Sequence, residues 1–303
     1  MRVRNPQKHR TAPNEAQSSA AKGNSAGPSP AVAAFAEAFV IFALFLAVKT
    51  AVPLAAAFFG CLGGEASFAD GFRSAKDSWI VSPVSAVILV LIISLFGRCR
   101  TGSRFFPYGM TSGNASLPAY FGAVLFGCAL QLSVSAVTVL AVGESAASAG
   151  ITPSTALRII SAAVFSAPCE EVIFRSGIFK KLRSAAPKTA AVLISSLFFA
   201  LCHPSLQAAV YSFAAGAVFA LMLEKYESIF LPIAAHASFN LFALALPLIR
   251  ERGTAIAVLC VCLPAALFLA AILCVPYPRA RQKKSCPMAA DSDKNENETI
   301  GDK

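Results

Sequence analysis

The sequence predicts an all-α fold, a polytopic bundle of about eight transmembrane helices resembling no water-soluble domain, and three observations carry the prediction. Of 303 residues, 56% are hydrophobic and 14% charged, with a mean hydropathy of +0.64, whereas a soluble domain carries about 25% charged residues. The apolar residues fall in blocks of roughly 20, the length a helix needs to cross a hydrocarbon core about 30 Å thick. Lys and Arg sit at the ends of these blocks, where the positive-inside rule places them.

Taken in order, the predicted spans lie near 31–58, 79–97, 116–142, 156–179, 188–203, 205–223, 228–249 and 254–275. The first block contains Lys49 and Pro53, which predicts either one long kinked helix or a shorter span with a re-entrant piece. Lys49 itself reads as a snorkelling or locally paired charge in preference to a functional one. Residues 60–78 read as a loop of mixed charge, and 143–155 as a second loop on the same side. Ala, Gly and Ser are frequent inside the spans and let helix backbones approach closely in lipid. No internal repeat stands out, so 31–277 reads as one transmembrane domain between disordered cytoplasmic tails, 1–30 and 278–303.

Orientation follows from the flanks. Arg2, Arg4, Lys8, Arg10 and Lys22 precede the first span, and Arg98, Arg100 and Arg104 follow the second. Lys180, Lys181, Arg183 and Lys188 follow the fourth, and the tail after Tyr277 is basic again. Eight spans put all four segments on one side, with both termini cytoplasmic in the plasma membrane of a prokaryote. The connector Arg250-Glu251-Arg252 mildly violates the rule. No cleavable signal peptide is expected, because the first apolar block is too long for an h-region. The net charge of +10 is thus topological and does not indicate a nucleic-acid partner. The nine cysteines include no Cys-x-x-Cys pair, and most lie in apolar segments, which argues against structural disulfides and zinc ribbons.

Charges at the centre of a span cost roughly 2.5–3.5 kcal/mol each on insertion scales and are functional suspects. The fourth span has three within six residues, Glu170, Glu171 and Arg175. Glu171 and Arg175 are four apart and can pair on one helix face. Glu170 points about 140° away from Arg175 at roughly 100° per residue, and has no partner on its own helix. A carboxylate so placed suits general acid–base work. Pro168 weakens the ladder just before it and frees a backbone carbonyl.

Of the three histidines, His9 lies in the lead segment and His203 and His236 in apolar spans. A lone apolar-face histidine is ordinarily a satisfied core group, but two in separate spans beside a carboxylate in a third are harder to dismiss. Counting about 1.5 Å per residue from the cytoplasmic ends, Glu170 lies roughly 15 Å deep, His203 22 Å, His236 12 Å and Asn240 18 Å. All four can meet near the middle of the membrane.

Glu-Glu-x-x-x-Arg (Glu170, Glu171, Arg175), Phe-x-x-x-His (Phe199, His203) and His-x-x-x-Asn (His236, Asn240), in that order, resemble the CPBP intramembrane proteases. This family is also called the Abi or CAAX-protease family and includes the Rce1-type prenyl-protein endoproteases. The resemblance covers about 155–250, which would be the protease core. It implies an endopeptidase acting on membrane-bound or lipidated protein substrates, prenylated ones included. By resemblance, Glu170 and His203 would activate the attacking water, His236 and Asn240 would hold the oxyanion, and Glu171, Arg175 and Phe199 would support the site. The cofactor stays open: Glu170, His203 and His236 are acceptable zinc ligands, as in a metalloprotease, and they equally suit a metal-free Glu/His mechanism.

Other protease chemistries fit less well. The sequence has no His-Glu-x-x-His helix. Asp70, Asp77, Asp291, Asp293 and Asp302 all lie outside the predicted spans, and Ser176-Gly177 lacks the Gly-x-Ser-x context of a rhomboid serine. Two alternatives use the same residues: a transporter or channel built on the charge cluster, and a non-proteolytic immunity or scaffold protein of the same fold.

Overall fold

A computed structural model of the chain describes residues 28–64, 67–76, 78–101, 113–143 and 150–275. The predicted tails 1–30 and 278–303 lie almost wholly outside the described residues, as do the termini whose orientation the charges predict.

Every regular element among the described residues is helical. Helix α1 runs Pro30–Leu62, with Pro30 in the first turn and the Ser29 hydroxyl accepting from Val32 N at 3.4 Å. It continues through Pro53 without breaking, so the re-entrant alternative does not occur. Pro53 cannot donate to the carbonyl of Lys49, one turn earlier. Helix α2, Phe68–Lys76, falls inside the segment read as a loop. It is amphipathic, begins on Ser67, whose hydroxyl accepts from Asp70 N, and packs along α1. Nine residues with alternating charge are too short for an apolar-block reading to register.

Helix α3 is Val81–Thr101 and α4 is Leu117–Val142. Helix α5 is one rod over residues 153–183 in which two π segments, Ala162–Ser166 and Val172–Phe179, alternate with α turns. The remainder are α6 (Lys188–Leu201), α7 (Leu206–Tyr226), α8 (Phe230–Leu241, extended by a 3-10 stretch to Leu248) and α9 (Arg252–Cys274). Among the described residues, five segments are long and apolar enough to cross a membrane: α1, α4, α7, Phe230–Leu248 and α9. The apolar stretch of α3 (Pro83–Leu95) and helix α6 are shorter, and α5 carries charge and π turns. The count of eight spans therefore stays an expectation, while the polytopic helical membrane fold is plain.

Two clusters make the centre. Phe42 and Phe45 of α1, Leu89 and Ile93 of α3, Phe174, Ile178 and Phe179 of α5, Phe199 of α6 and Leu223 of α7 form one. In the other, Ala119 and Ala123 of α4 meet Ala215 of α7, Ala235 of α8 and Ala266 of α9 among larger side chains such as Phe126 and Phe219. Outward, large apolar side chains such as Phe121, Val210, Val261 and Phe268 are exposed by 64–70%. Helices apolar on both the packed and the outer face belong in lipid.

Candidate active site

The two π segments of α5 bracket the charged turn Ala167–Glu171. Pro168 has no N–H for the carbonyl of Val164, and the ladder steps to i+5, with Ala167 N donating to Ala162 O. Such π turns re-aim side chains and recur at functional sites.

Glu171 and Arg175 are both fully buried, and Arg175 Nε lies 3.1 Å from Glu171 Oε2. The approach has ion-pair distance but not hydrogen-bond alignment: neither Oε2 nor any guanidinium nitrogen makes a hydrogen bond to a described residue. The guanidinium is held instead between aromatic faces, 5.0 Å from the Phe199 ring centre and 5.8 Å from Phe219. Gly216 of α7 makes room: a Cβ there would stand 3.3 Å from Phe199 and 3.4 Å from Arg175 Nη2.

The other oxygen of Glu171 is 2.9 Å from His236 Nδ1 on α8. A carboxylate only accepts, so Nδ1 carries the proton and Nε2 turns to Glu170, with Oε2 4.0 Å away. The His236 ring stacks on Phe219 (5.5 Å, 24°) and stands edge-on to Phe199 (5.6 Å, 88°).

His203 does not sit inside a helix. α6 ends at Leu201 and α7 is capped by Ser205, so His203 lies in the turn between two helices, where α6, at about 21 Å by helical rise, stops short of a full crossing. Its Nδ1 is 2.9 Å from Phe199 O. The carbonyl again only accepts, which leaves the lone pair on Nε2. The ring stands edge-on to Phe199 at 5.0 Å. Both imidazoles therefore touch one phenyl ring, and Phe199 spaces them.

Asn240, one turn beyond His236, donates from Nδ2 to Ala162 O at 3.3 Å, the carbonyl at the first π turn. The seven residues singled out in the sequence (Glu170, Glu171, Arg175, Phe199, His203, His236, Asn240) thus meet in one region built by α5, α6, α7 and α8.

Two members come from outside the three motifs. Lys49 of α1 reaches Glu170, with Nζ 3.4 Å from Oε1. The sequence reading of Lys49 as a snorkelling or locally paired charge is thereby corrected: its partner lies 121 positions away, and Glu170, lacking a partner on its own helix, has one on another. A lysine at the midpoint of a 33-residue apolar helix was the available signal. Gly127 of α4 is the second. A Cβ there would lie 2.1 Å from Ala235 O and 2.2 Å from Ser238 Oγ, so α4 and α8 cross where only glycine fits, beside His236. Nothing in the local sequence distinguishes it from other small residues in the spans.

The sequence leaves the cofactor open between zinc and a metal-free mechanism. Among the described residues no three His, Cys, Asp or Glu side chains are grouped to hold a metal ion. Lys49 Nζ faces Glu170 Oε1 at 3.4 Å, while His236 Nε2 lies 4.0 Å from Oε2. The Glu171–His236 contact does resemble the carboxylate–imidazole support behind metal-bound histidines, but here it supports a histidine facing another carboxylate.

Comparison with known families matches residues 152–242 to the model described as "Type II CAAX prenyl endopeptidase Rce1-like". No curated protein and no solved structure matches the chain. The matched segment begins at the cap of α5 and ends two residues past Asn240, so it spans every motif residue of the site but neither Lys49 nor Gly127. Over this segment, about a third of its length, the chain is similar to the Rce1-like, CPBP-type family of helical membrane proteases.

Proposed function

We propose that the chain is an intramembrane endopeptidase that cleaves membrane-associated, lipid-modified protein substrates near their C-termini, as a Cys-a-a-X box would be cleaved. The observation that carries this reading is the arrangement of two imidazoles on either side of Phe199, each with Nδ1 engaged, around the carboxylate of Glu170.

In this reading a water held by Glu170 and His203 attacks the scissile carbonyl carbon, and its proton passes to one of those two groups. His203 Nε2 has a lone pair for it. The oxyanion then faces His236 and Asn240. The Glu171 carboxylate holds the His236 ring in place from Nδ1. Asn240 keeps a second amide hydrogen beyond the one given to Ala162. Donors held in place before charge develops are the largest electrostatic contribution in acyl transfer. The proton taken from water leaves with the amine, and the C–N bond breaks. We place the catalytic unit at about 155–250, with 1–30 and 278–303 as tails outside it. The buried charges gather at one centre, which favours hydrolysis over the transporter reading.

The test is comparative membrane proteomics of cells with the wild type and with Glu170→Ala. New protein termini present only with the active form support the proposal. Identical termini, together with equal peptide cleavage by the purified wild type, Glu170→Ala and His236→Ala, refute it.

A further inference from the structure

We propose that Lys49 is the site's receptor for the C-terminal carboxylate of the substrate, and that binding there draws the ammonium off Glu170. The inference rests on the peptidase reading above and adds a specificity-determining residue from outside the family-matched segment.

An ammonium inside a lipid-embedded bundle is costly and calls for anionic partners. It also carries three donors. Among the described residues its recorded polar partner is Glu170 Oε1, at a stretched 3.4 Å, and its remaining contact is the Phe45 ring, 5.5 Å away. That leaves donor capacity in the site. The Lys49 side chain is 30% exposed, against 16% for Glu170 and none for Arg175. Of the two cations here, Arg175 is sealed between aromatic rings, so Lys49 is the one an incoming anion can reach.

The spacing also suits a C-terminal carboxylate. Three extended residues span at most about 10 Å. His236 Nε2 lies 4.0 Å from Glu170 Oε2 and Lys49 Nζ lies 3.4 Å from Oε1 of the same carboxylate, so the ammonium is within that reach of the imidazole. A substrate carboxylate there competes with Glu170 for the same donors. As Lys49 turns to it, Glu170 is freer to take the proton of water, so correct occupancy and an active base arrive together. A substrate whose chain continues past this point, or whose terminus is neutral, leaves Lys49 on Glu170.

The test uses the full chain in detergent with two peptides, farnesylated Cys-Val-Ile-Ala as the free acid and as the C-terminal amide, on wild type, Lys49→Met and Lys49→Arg. The wild type is expected to prefer the acid by about tenfold or more in kcat/KM, the scale of one charge-assisted hydrogen bond. In Lys49→Met the acid-to-amide ratio falls to near one, and in Lys49→Arg most of it remains. A merely structural lysine would lower both rates and leave the ratio alone. Competition binding of Val-Ile-Ala acid and amide in a Glu170→Gln background reads the same ratio without cleavage. The proposal is overturned by an unchanged ratio in Lys49→Met, or by a wild type indifferent to the terminal charge. Failure of the wild type to cleave either peptide sinks the peptidase reading instead, and the binding ratio still decides on Lys49.

Discussion

Glu171 accepts a 2.9 Å hydrogen bond from His236 while its other oxygen lies 3.1 Å from Arg175, so a fully buried carboxylate joins α5 to α8. It is surrounded by Arg175, His236 and the phenyl rings they pack on, and no reacting group need touch it. The neighbouring Glu170 is partly exposed and faces Lys49 and His236. Adjacent carboxylates therefore have opposite surroundings, and their substitutions should have opposite consequences.

Glu171→Ala leaves Arg175 as an uncompensated buried charge, which costs about 3–5 kcal/mol. The expected result is a large fall in unfolding temperature in a detergent thermal-shift assay, with loss of activity following loss of fold. Arg175→Met should be milder, because the Glu171 carboxylate it leaves behind keeps its hydrogen bond from His236 and much of the packing volume remains. If Glu171→Ala and Arg175→Met both leave the unfolding temperature near that of the wild type, the ion pair is not what holds this region.

Glu170→Gln keeps the shape and removes the base. Cleavage should fall by roughly 10²–10⁴-fold, the range general acid–base groups contribute, while the unfolding temperature moves little. His203→Ala should behave similarly, since its ring bonds only to a backbone carbonyl at the end of α6. Circular dichroism and thermal shift on the same samples separate chemistry from folding.

Asn240→Ala should lower kcat by about 10²–10³-fold, the effect of removing one oxyanion donor, with KM nearly unchanged because the donor acts chiefly on the developing charge. A rise in KM at constant kcat would instead make Asn240 a substrate-binding group.

Gly127→Ala pushes a methyl group into the backbone of α8 at Ala235 and into Ser238. Overpacking of this kind costs typically 1–3 kcal/mol, and the shift falls on the helix that carries His236 and Asn240. Reduced stability and reduced cleavage are both expected, although Gly127 touches no reacting group. Gly122→Ala on the same helix meets only Leu273 at 3.7 Å and serves as the control, with wild-type behaviour expected in both assays.

Because Glu170, His203 and His236 do not form a ligand set as arranged, prolonged dialysis against a strong chelator should leave cleavage unchanged, and added zinc should not raise it. Loss of activity on chelation that zinc alone restores would overturn this. It would require Lys49 to leave Glu170 in the active form.

Much of the fold was legible because the periodicities it rests on are local. Apolar blocks, flanking Lys and Arg and the four-residue spacing of Glu171 and Arg175 act within a turn or a span, where hydrocarbon thickness and helical rise leave little freedom. By contrast, α2 was too short and too polar to register as an apolar block, and the two π turns of α5 depend on how Pro168 redistributes hydrogen bonds.

What the sequence by itself determined is that the chain lives in lipid, which helices carry charge, and which carboxylates, imidazoles and amide make up the three motifs. Tertiary packing alone decided that Lys49 faces Glu170, that His236 leans on Glu171, that Phe199 spaces the two histidines and that Gly127 sets the distance between α4 and α8. Helical periodicity sets depth and face within one rod. Which rods become neighbours, and how closely they cross, depends on side-chain volumes summed over the whole bundle.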